Sequence, residues 1–150
     1  MIYKQIRTGL YAQEFTLYKF KTMKGKEEIP YWSNDNDPRI TCFGSFLRKY
    51  HIDELPQILN IFLRDMNLVG PRPERPYFDN IISKEIYKWY KRYQIRPGIM
   101  GLAQLRLGYT NTIEGSRKKL KYDLFYIKKK SLCFDIWIVW KTILQTLTRS

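Results

Sequence analysis

Three prolines and a glycine within residues 67–76 leave that part of the chain little conformational freedom. Proline fixes its own φ and has no backbone N–H, so it is excluded from helix interiors and central strands. We therefore predict that residues 67–76 form an extended, stiff connection. Arg72 lies between Pro71 and Pro73, which restrict the backbone on both sides of its guanidinium group.

Pro56 indicates where a helix begins. Apolar residues recur at helical spacing over residues 54–63. A proline is tolerated in the first turn of a helix, where its missing N–H is not needed. Asp53 is therefore predicted to lie near the N-cap, with Glu54 in the first turn. The predicted apolar stripe consists of Leu55, Ile58, Leu59 and Phe62.

The rest of the chain shows strand and helix patterns in turn. Aromatic and β-branched residues at 3–7 and 15–23, separated by a break at Gly9, predict a β-hairpin. Loop-forming residues dominate residues 25–39. Helices are predicted over residues 41–50, 77–93 and 114–130, with an irregular stretch around 102–107 and a last apolar segment at 136–147. The predicted fold class is α+β and mainly helical, a single domain over residues 1–150 with a small N-terminal β-hairpin.

Charge and cysteine content narrow the function classes. The net charge of +13 predicts a polyanionic partner, which can be a nucleic acid, a nucleotide or an anionic membrane surface. Cys42 and Cys133 lack metal-ligand spacing and His51 is the only histidine, which argues against a zinc site and against a Ser–His or Cys–His catalytic pair. No apolar run approaches the roughly 18 residues of a membrane-spanning helix.

The adjacent carboxylates Asp53 and Glu54 have two interpretations. An aspartate at an N-cap stabilises a helix by about 1 kcal/mol, and an acid in the first turn is also favourable. The same helix end would keep Asp53 ionised, as a carboxylate nucleophile requires. Two adjacent carboxylates can also hold Mg²⁺, which takes oxygen ligands and bridges phosphates. The pair taken alone leaves both interpretations open.

Four further charged residues are candidates for substrate binding. A rigid backbone lowers the entropy cost of aiming the Arg72 guanidinium at a phosphate, and Arg48 lies just before the two acids. Lys19 alternates with apolar residues, as on an exposed strand face. Asp123 lies close to the apolar face of its helix, where a carboxylate needs a cation or a metal. Each residue has a structural alternative. Arg72 can lie in a solvated turn, and Arg48 can offset the charge of the two acids at the surface. Lys19 can belong to an amphipathic strand, and Asp123 can pair with Lys119 at i−4.

The C-terminal third combines aromatic rings with lysines. Such rings and cations suit a lipid headgroup layer, where each lysine near an anionic surface adds about 1 kcal/mol. The alternative is that the rings belong to the core and the lysines to a solvated face. The aromatic residues are Tyr122, Phe125, Tyr126, Phe134, Trp137 and Trp140, and the lysines are Lys128, Lys129, Lys130 and Lys141.

Taken in order, the motifs resemble the catalytic domain of the bacterial sugar transferases, which are monotopic polyprenyl-phosphate sugar-1-phosphate transferases. The resemblance covers essentially the whole chain. The motifs are Tyr18-Lys19-Phe20-Lys21-Thr22-Met23, Leu47-Arg48-Lys49, Ile52-Asp53-Glu54-Leu55-Pro56-Gln57, Asp65-Met66-Asn67-Leu68-Val69-Gly70-Pro71-Arg72-Pro73, Arg96-Pro97-Gly98-Ile99, Gly101-Leu102-Ala103-Gln104, Tyr122-Asp123, and Ser131 with Asp135.

The resemblance implies a phosphoglycosyl transferase that moves a sugar-1-phosphate from a UDP-sugar to undecaprenyl phosphate, the step that initiates exopolysaccharide, capsule, lipopolysaccharide or other glycoconjugate synthesis. Asp53 would attack the sugar-linked phosphorus, release UMP and form a phospho-sugar aspartyl intermediate. Glu54 would hold Mg²⁺ together with Asp53 or guide proton transfer. The residues implied to bind substrate are Lys19, Arg48, Arg72 and Asp123. The implied location is the cytoplasmic face of a bacterial inner membrane, through amphipathic interfacial helices.

Two departures from the family pattern leave alternatives. Family members carry a hydrophobic membrane segment ahead of the strand at Tyr3, whereas this sequence begins at Met1, so a truncated, non-catalytic membrane-surface or partner-binding derivative is a second interpretation. His51 stands where the family has a small hydroxyl residue. A nucleic-acid-binding module would explain the charge and the aromatics but not the Asp53–Glu54 pair, so no nucleic acid is expected as a partner. Donor sugar and oligomeric state stay open.

Overall fold

The N-terminus forms the predicted hairpin. The computed structural model describes residues 1–25, 37–108 and 112–148. Strands β1 (Ile2–Thr8) and β2 (Glu14–Phe20) pair antiparallel, with Tyr3 opposite Lys19, and a short 3₁₀ helix at Leu10–Ala12 lies in the turn. The predicted loop over residues 25–39 lies largely outside the described residues.

Helix α1 (Cys42–Lys49) packs closely on the chain that follows the hairpin. It begins at Thr41, whose hydroxyl accepts the Gly44 N–H at 2.8 Å. A Cβ atom on Gly44 would lie 2.1 Å from the carbonyl oxygen of Thr22, so only glycine permits this approach. The contact brings Arg48 to Thr22, where the arginine Nε donates to the threonine hydroxyl at 2.9 Å.

The predicted helix over residues 54–63 is divided into a 3₁₀ helix at Ile52–Gln57 and helix α2 (Ile58–Phe62). The predicted apolar stripe of this segment is exposed, and Phe62 is 80% exposed. Apart from Pro56, the buried side chains of this segment are polar: Asp53, Glu54, Gln57 and Asn60. Helical spacing therefore identified an apolar face correctly, but that face does not contact the core.

Asn60 explains why the polar face points inwards. Its side chain is fully buried, its Nδ2 donates to the Thr16 carbonyl at 2.7 Å, and its Oδ1 accepts the Tyr18 N–H at 3.2 Å. The amide thus pairs with β2 much as a neighbouring strand would, and it satisfies two backbone groups of the hairpin. This pair of hydrogen bonds fastens α2, and the acids that precede it, to the hairpin.

The predicted extended segment is confirmed over residues 67–75, whereas Pro76 already begins helix α3. The segment starts with a strand that the sequence analysis did not place. Strand β3 (Asn67–Val69) pairs in parallel with β4 (Gly98–Met100). A Cβ atom on Gly98 would lie 2.0 Å from the backbone nitrogen of Gly70, so the two backbones approach as closely as glycine allows.

The predicted helix over residues 77–93 is interrupted. Helix α3 (Pro76–Glu85) ends before Lys88, which adopts a left-handed conformation with φ 70°, and a 3₁₀ helix follows at Trp89–Gln94. Apolar residues from both helices are nevertheless buried together. One core cluster comprises Phe78, Ile82, Ile86, Trp89, Tyr93 and Leu120.

Three further helices complete the fold. Helix α4 (Leu102–Leu107) occupies the stretch predicted to be irregular, and α5 (Ile113–Lys129) and α6 (Leu132–Leu147) follow. A second core cluster comprises Val69, Leu102, Tyr126 and Ile138. Within residues 1–25, 37–108 and 112–148, no helix combines the length and hydrophobicity needed to cross a membrane. The prediction of a mainly helical α+β fold with an N-terminal hairpin is confirmed.

Four consecutive carbonyl groups of residues 71–74 accept hydrogen bonds from distant parts of the chain. Because Pro71 and Pro73 have no N–H, their carbonyls are the only backbone hydrogen-bonding groups at these two positions. The contacts are Gly98 N–H to Pro71 at 3.0 Å, Arg92 Nη2 to Arg72 at 2.6 Å, Arg7 Nη1 to Pro73 at 3.1 Å and Thr8 N–H to Glu74 at 2.9 Å.

A cluster of buried charges lies behind this segment. Glu74 pairs with Lys119 and lies 3.9 Å from Arg92, and Arg92 in turn lies 3.0 Å from Asp123. Burial opposes the ionisation of Glu74, but the charges of Lys119 and Arg92 outweigh it and lower the pKa of Glu74 to about 2. The cluster connects the extended segment to α5.

Replacing Asn60 tests the attachment of α2 to the hairpin. In Asn60→Ala the buried Thr16 carbonyl and Tyr18 N–H lose their partners, so we expect the free energy of unfolding to fall by about 2–3 kcal/mol. Urea denaturation of the wild type and the variant measures this difference. Asn80→Ala, at an exposed position of α3, is the control and is expected to change the stability by no more than about 0.5 kcal/mol. Equal stability of the two variants would contradict the assignment.

The low pKa of Glu74 predicts a defined pH dependence of stability. Because its folded pKa of about 2 lies below the ordinary value of 4.5, ionised Glu74 stabilises the fold above about pH 4.5, and this contribution is lost as the pH falls towards 2. The contribution is at most about 3 kcal/mol. Urea denaturation between about pH 5 and 2.5 should therefore show a flatter pH profile for Glu74→Gln than for the wild type. Glu114→Gln removes an exposed acid of α5 and should keep the wild-type slope, whereas a wild-type slope in Glu74→Gln would show that the pair does not form.

Candidate active site

An open cavity of about 930 Å³ lies beside the hairpin. Its walls come from β2, α1, the 3₁₀ helix at Ile52–Gln57, the extended segment and helices α4 and α6. One group of lining residues is cationic: Lys19, Lys21, Lys24, Arg48, Lys49 and Arg72. Another is apolar: Leu55, Ile58, Leu68, Ile143 and Leu147. The cavity therefore offers both a cationic and an apolar lining to a ligand.

A left-handed turn at His51 presents the two acids to this cavity. His51 has φ 55° and is the N-cap residue of the 3₁₀ helix, so it reverses the chain between α1 and that helix. Non-glycine residues in this conformation are uncommon, although histidine is enriched among them. Asp53 and Glu54 follow directly and lie in the first turn. His51, next to the two acids, therefore has a role in forming this turn of the backbone.

Glu54 is held by two cations. Its Oε1 accepts from Arg72 Nη2 at 2.5 Å and from Lys19 Nζ at 2.9 Å, and its Oε2 accepts from Arg72 Nη1 at 3.2 Å. Only 5% of the residue is exposed. Burial opposes ionisation, but the charges of Arg72 and Lys19 hold the pKa of the Glu54 carboxyl well below its ordinary value. Glu54 is consequently ionised at neutral pH and orients Arg72 and Lys19.

Asp53 has a different environment. It is 7% exposed and lines the cavity, and its carboxylate makes no hydrogen bond or ion pair with any residue in the described part of the chain. Burial raises the pKa of Asp53 above its ordinary value, Lys19 opposes this shift and Glu54 adds to it. The predicted place of Asp53 near a helix N-terminus is confirmed, because it lies in the first turn of the 3₁₀ helix, but no side-chain cap forms and burial is the largest influence on its pKa. A raised pKa makes the ionised carboxylate a better nucleophile.

The structure brings five of the six predicted site residues together. Asp53, Glu54, Lys19, Arg48 and Arg72 all line the same cavity. These residues come from β2, α1, the 3₁₀ helix and the extended segment, so only the tertiary fold collects them.

Asp123 is the sixth predicted site residue and lies apart from the other five. It is 1% exposed and its nearest cation is Arg92, with Arg92 Nη2 3.0 Å from Asp123 Oδ2. The expectation that this carboxylate needs a cation is confirmed, and the alternative of an i−4 pair with Lys119 is wrong because Lys119 pairs with Glu74. Direct substrate contact is not what its surroundings indicate.

Sequence reasoning missed three residues that support the site: Arg92, Glu74 and Lys119. All three belong to the buried cluster behind the extended segment, and Glu74 and Lys119 also line the cavity. The available signal was the position of Asp123 on an apolar helix face, which implies a buried cation elsewhere in the chain.

The donor set for a metal was also predicted, at Asp53 and Glu54. Among the described residues, no group of three or more His, Cys, Asp or Glu side chains is arranged to hold a metal ion. The Asp53 carboxylate fits Mg²⁺, which binds proteins through one or two carboxylates and takes its other ligands from phosphates and water. Both oxygens of Glu54 already accept from cations, so Glu54 would have to give up a contact to join such a site.

This arrangement suits chemistry at phosphorus. An available carboxylate supplies a nucleophile, and cations around it neutralise charge on a phosphate and on a leaving phosphate group. The two neighbouring acids have pKa values displaced in opposite directions, which gives them different roles.

Comparison with known proteins agrees with this chemistry. The sequence profile of the family described as "Bacterial sugar transferase" matches residues 1–149. The chain is 41% identical over 98% of its length to a UDP-glucose:undecaprenyl-phosphate glucose-1-phosphate transferase of Caulobacter vibrioides. It is 39% identical over 99% of its length to a UDP-N-acetylgalactosamine-undecaprenyl-phosphate N-acetylgalactosaminephosphotransferase of Aeromonas hydrophila.

A protein of Escherichia coli with the same name as the Caulobacter relative is 36% identical over 97% of the chain. The chain spans 57%, 36% and 32% of the Caulobacter, Aeromonas and Escherichia proteins, respectively, so these relatives are longer. With a profile match over nearly every residue and relatives above 30% identity along the whole chain, this protein belongs to the bacterial sugar transferase family.

Proposed function

We propose that this protein transfers a sugar-1-phosphate from a UDP-sugar to undecaprenyl phosphate and so initiates the synthesis of a polysaccharide such as an exopolysaccharide. The observation that carries the proposal is the Asp53 carboxylate, which has no hydrogen bond or ion pair with another described residue and lines a cavity beside the Arg72–Glu54–Lys19 ion cluster. The names of the relatives support the donor and acceptor classes.

In the first step an oxygen of Asp53 attacks the phosphorus that carries the sugar. A bond forms between that oxygen and phosphorus, and the bond to the bridging oxygen of the diphosphate breaks. The electron pair leaves with UMP, and the sugar phosphate stays on Asp53 as an acyl phosphate. Arg72 and Lys19 lie beside Asp53 and stabilise the negative charge that develops on the phosphate oxygens.

In the second step undecaprenyl phosphate regenerates the carboxylate. A phosphate oxygen of the lipid attacks the same phosphorus, the bond to Asp53 breaks, and the electron pair returns to the carboxylate. The product is undecaprenyl diphosphate carrying the sugar. The apolar side of the cavity, which includes Leu55 and Ile143, is the side on which an isoprenoid chain has compatible surroundings.

Mg²⁺ is part of this proposal. Asp53 would contribute a carboxylate oxygen to the ion, and when bound the ion would neutralise charge on the diphosphate. Glu54 acts here mainly through Arg72 and Lys19, whose positions it fixes.

We place the protein on the cytoplasmic face of a bacterial inner membrane. Large apolar side chains are exposed on α1, on α2 and the 3₁₀ helix before it, and on α6. Four of them border the cavity: Leu55 of the 3₁₀ helix, Ile58 of α2, and Ile143 and Leu147 of α6. An anionic lipid surface would cover these side chains and attract a chain with a net charge of +13. The exposed residues include Phe43, Phe62, Leu63, Trp140 and Leu147.

Asp53→Asn tests the catalytic role. Asparagine has the same shape but is a poor nucleophile, so UMP release from a panel of UDP-sugars with Mg²⁺, undecaprenyl phosphate and detergent should fall by at least about 1000-fold. Glu114→Gln, far more exposed and outside the cavity lining, should retain wild-type release. Mass spectrometry of the protein incubated with donor alone should detect a sugar phosphate on the wild type and none on Asp53→Asn.

The alternative function gives a different result in the same assay. A non-catalytic membrane-surface or partner-binding derivative releases no UMP from any donor, with or without Asp53. UMP release that persists in Asp53→Asn would also reject the aspartyl mechanism.

Membrane binding is tested with sedimenting vesicles. The protein should bind vesicles that contain anionic lipid more tightly than zwitterionic vesicles, and added salt should weaken the binding. Phe62→Ser and Trp140→Ser remove exposed apolar area and should weaken binding several-fold each. Tyr87→Ser alters an equally exposed ring between α3 and the following 3₁₀ helix and is the control. Equal binding by all three variants and the wild type would argue against this surface.

A further inference from the structure

Arg92 is a buried cation with no place in the reaction described above. It is 2% exposed and is not among the residues that line the cavity. Removing an arginine from water is costly, and a buried ion pair often stabilises a fold no better than apolar side chains of the same size. Stability alone therefore does not explain why Arg92 is buried here, and a contribution to the geometry of the site is the other explanation.

The guanidinium of Arg92 lies between a backbone carbonyl and a carboxylate. Its Nη2 donates to the carbonyl oxygen of Arg72 at 2.6 Å and lies 3.0 Å from Asp123 Oδ2. The ring of Trp89 covers the guanidinium with a centroid distance of 4.3 Å, and Trp89 Nε1 in turn donates to Asp79 at 2.7 Å. Arg92 is thus restrained from several directions while it holds one oxygen of the extended segment.

Arg92 donates to the backbone carbonyl of Arg72, and the side chain of Arg72 binds Glu54. Arg72 lies between two prolines, so neither neighbour can supply an N–H to anchor the backbone at this point. Its carbonyl is held by Arg92, and its guanidinium binds both oxygens of Glu54 at 2.5 and 3.2 Å. A continuous series of contacts therefore leads from Asp123 through Arg92 and Arg72 to Glu54, next to Asp53.

We propose that Arg92 and Asp123 are positioning residues: Arg92 fixes the backbone of Arg72, and Asp123 keeps Arg92 aimed at that carbonyl. Without the charge of Asp123, Glu74 is the competing anion, because its Oε1 lies 3.9 Å from Arg92 Nη1. Arg92 would then turn towards Glu74, and Arg72 would lose the support that aligns its fork with Glu54. For turnover, this inference rests on the proposed transferase function.

The first test is a double-mutant cycle between Asp123 and Arg72. Asp123→Asn keeps the side-chain shape and should lower kcat/KM for the donor by about tenfold or more, since small displacements in an active site cost up to about 100-fold. In an Arg72→Ala background the same substitution should change kcat/KM by no more than about twofold. Asp123→Asn should change Tm by the same amount in the wild type and in Arg72→Ala. An equal loss of kcat/KM in both backgrounds would overturn the proposal, because a purely structural role does not depend on Arg72.

The second test needs no turnover. The Arg72 side-chain Nε–Hε signal in a proton–nitrogen correlation spectrum, assigned by its loss in Arg72→Ala, should shift or broaden in Asp123→Asn and in Arg92→Lys at neutral pH. Glu114→Gln is the control, because Glu114 lies on α5 like Asp123 but pairs with Lys118 at 3.4 Å. It should leave the Arg72 signal unchanged. An unchanged Arg72 signal in both Asp123→Asn and Arg92→Lys would overturn the proposal.

The two tests separate the two proposals. If the wild type releases no UMP, the transferase proposal fails, and the Arg72 signal still decides whether Arg92 and Asp123 position this residue. If Arg72→Ala leaves no measurable turnover, the spectrum decides in the same way. Arg92→Lys retains a positive charge in the core, so it provides a second folded variant if Asp123→Asn does not fold.

Discussion

The ion pair between Arg72 and Glu54 is the interaction around which the rest of this structure is arranged. It joins the extended segment to the short 3₁₀ helix, and Lys19 of the hairpin adds a third contact to the same carboxylate. A two-point contact of this kind requires both partners to be held accurately. The left-handed turn at His51 fixes the position of Glu54, and donors to consecutive carbonyls fix the backbone that carries Arg72.

Two acids next to each other in sequence acquire different properties from this arrangement. Glu54 receives the cations, and its pKa falls despite burial. Asp53 receives no direct partner among the described residues, and burial raises its pKa. The cations that Glu54 orients line the same cavity as Asp53, so they can neutralise a phosphate bound next to the Asp53 carboxylate, as the proposed mechanism requires. A fixed anion and an available carboxylate are the division of roles that a nucleophilic mechanism needs.

Near the site some polar side chains are buried and some large apolar side chains are exposed, which is the opposite of the usual arrangement. Asn60 is fully buried because it pairs with the backbone of the hairpin, whereas Phe62, two residues later, is almost entirely exposed. Burial of a polar side chain is tolerated here because its hydrogen bonds are satisfied. Apolar residues of α2 and α6 are exposed, and some of them border the cavity, which is why we propose a lipid acceptor there.

The sequence by itself determined the extended segment, the hairpin and the approximate positions of most helices, and it singled out five residues that line one cavity, because proline geometry, residue alternation and family motifs are local properties. It could not determine that the apolar stripe of residues 54–63 is exposed, since spacing defines a face but not what covers it. It also could not pair Asp123 with Arg92, because these residues are distant along the chain and meet only through tertiary packing. The local sequence therefore supplied the charged groups, and tertiary contacts decided that cations bind Glu54 whereas Asp53 lines the cavity without a direct partner among the described residues.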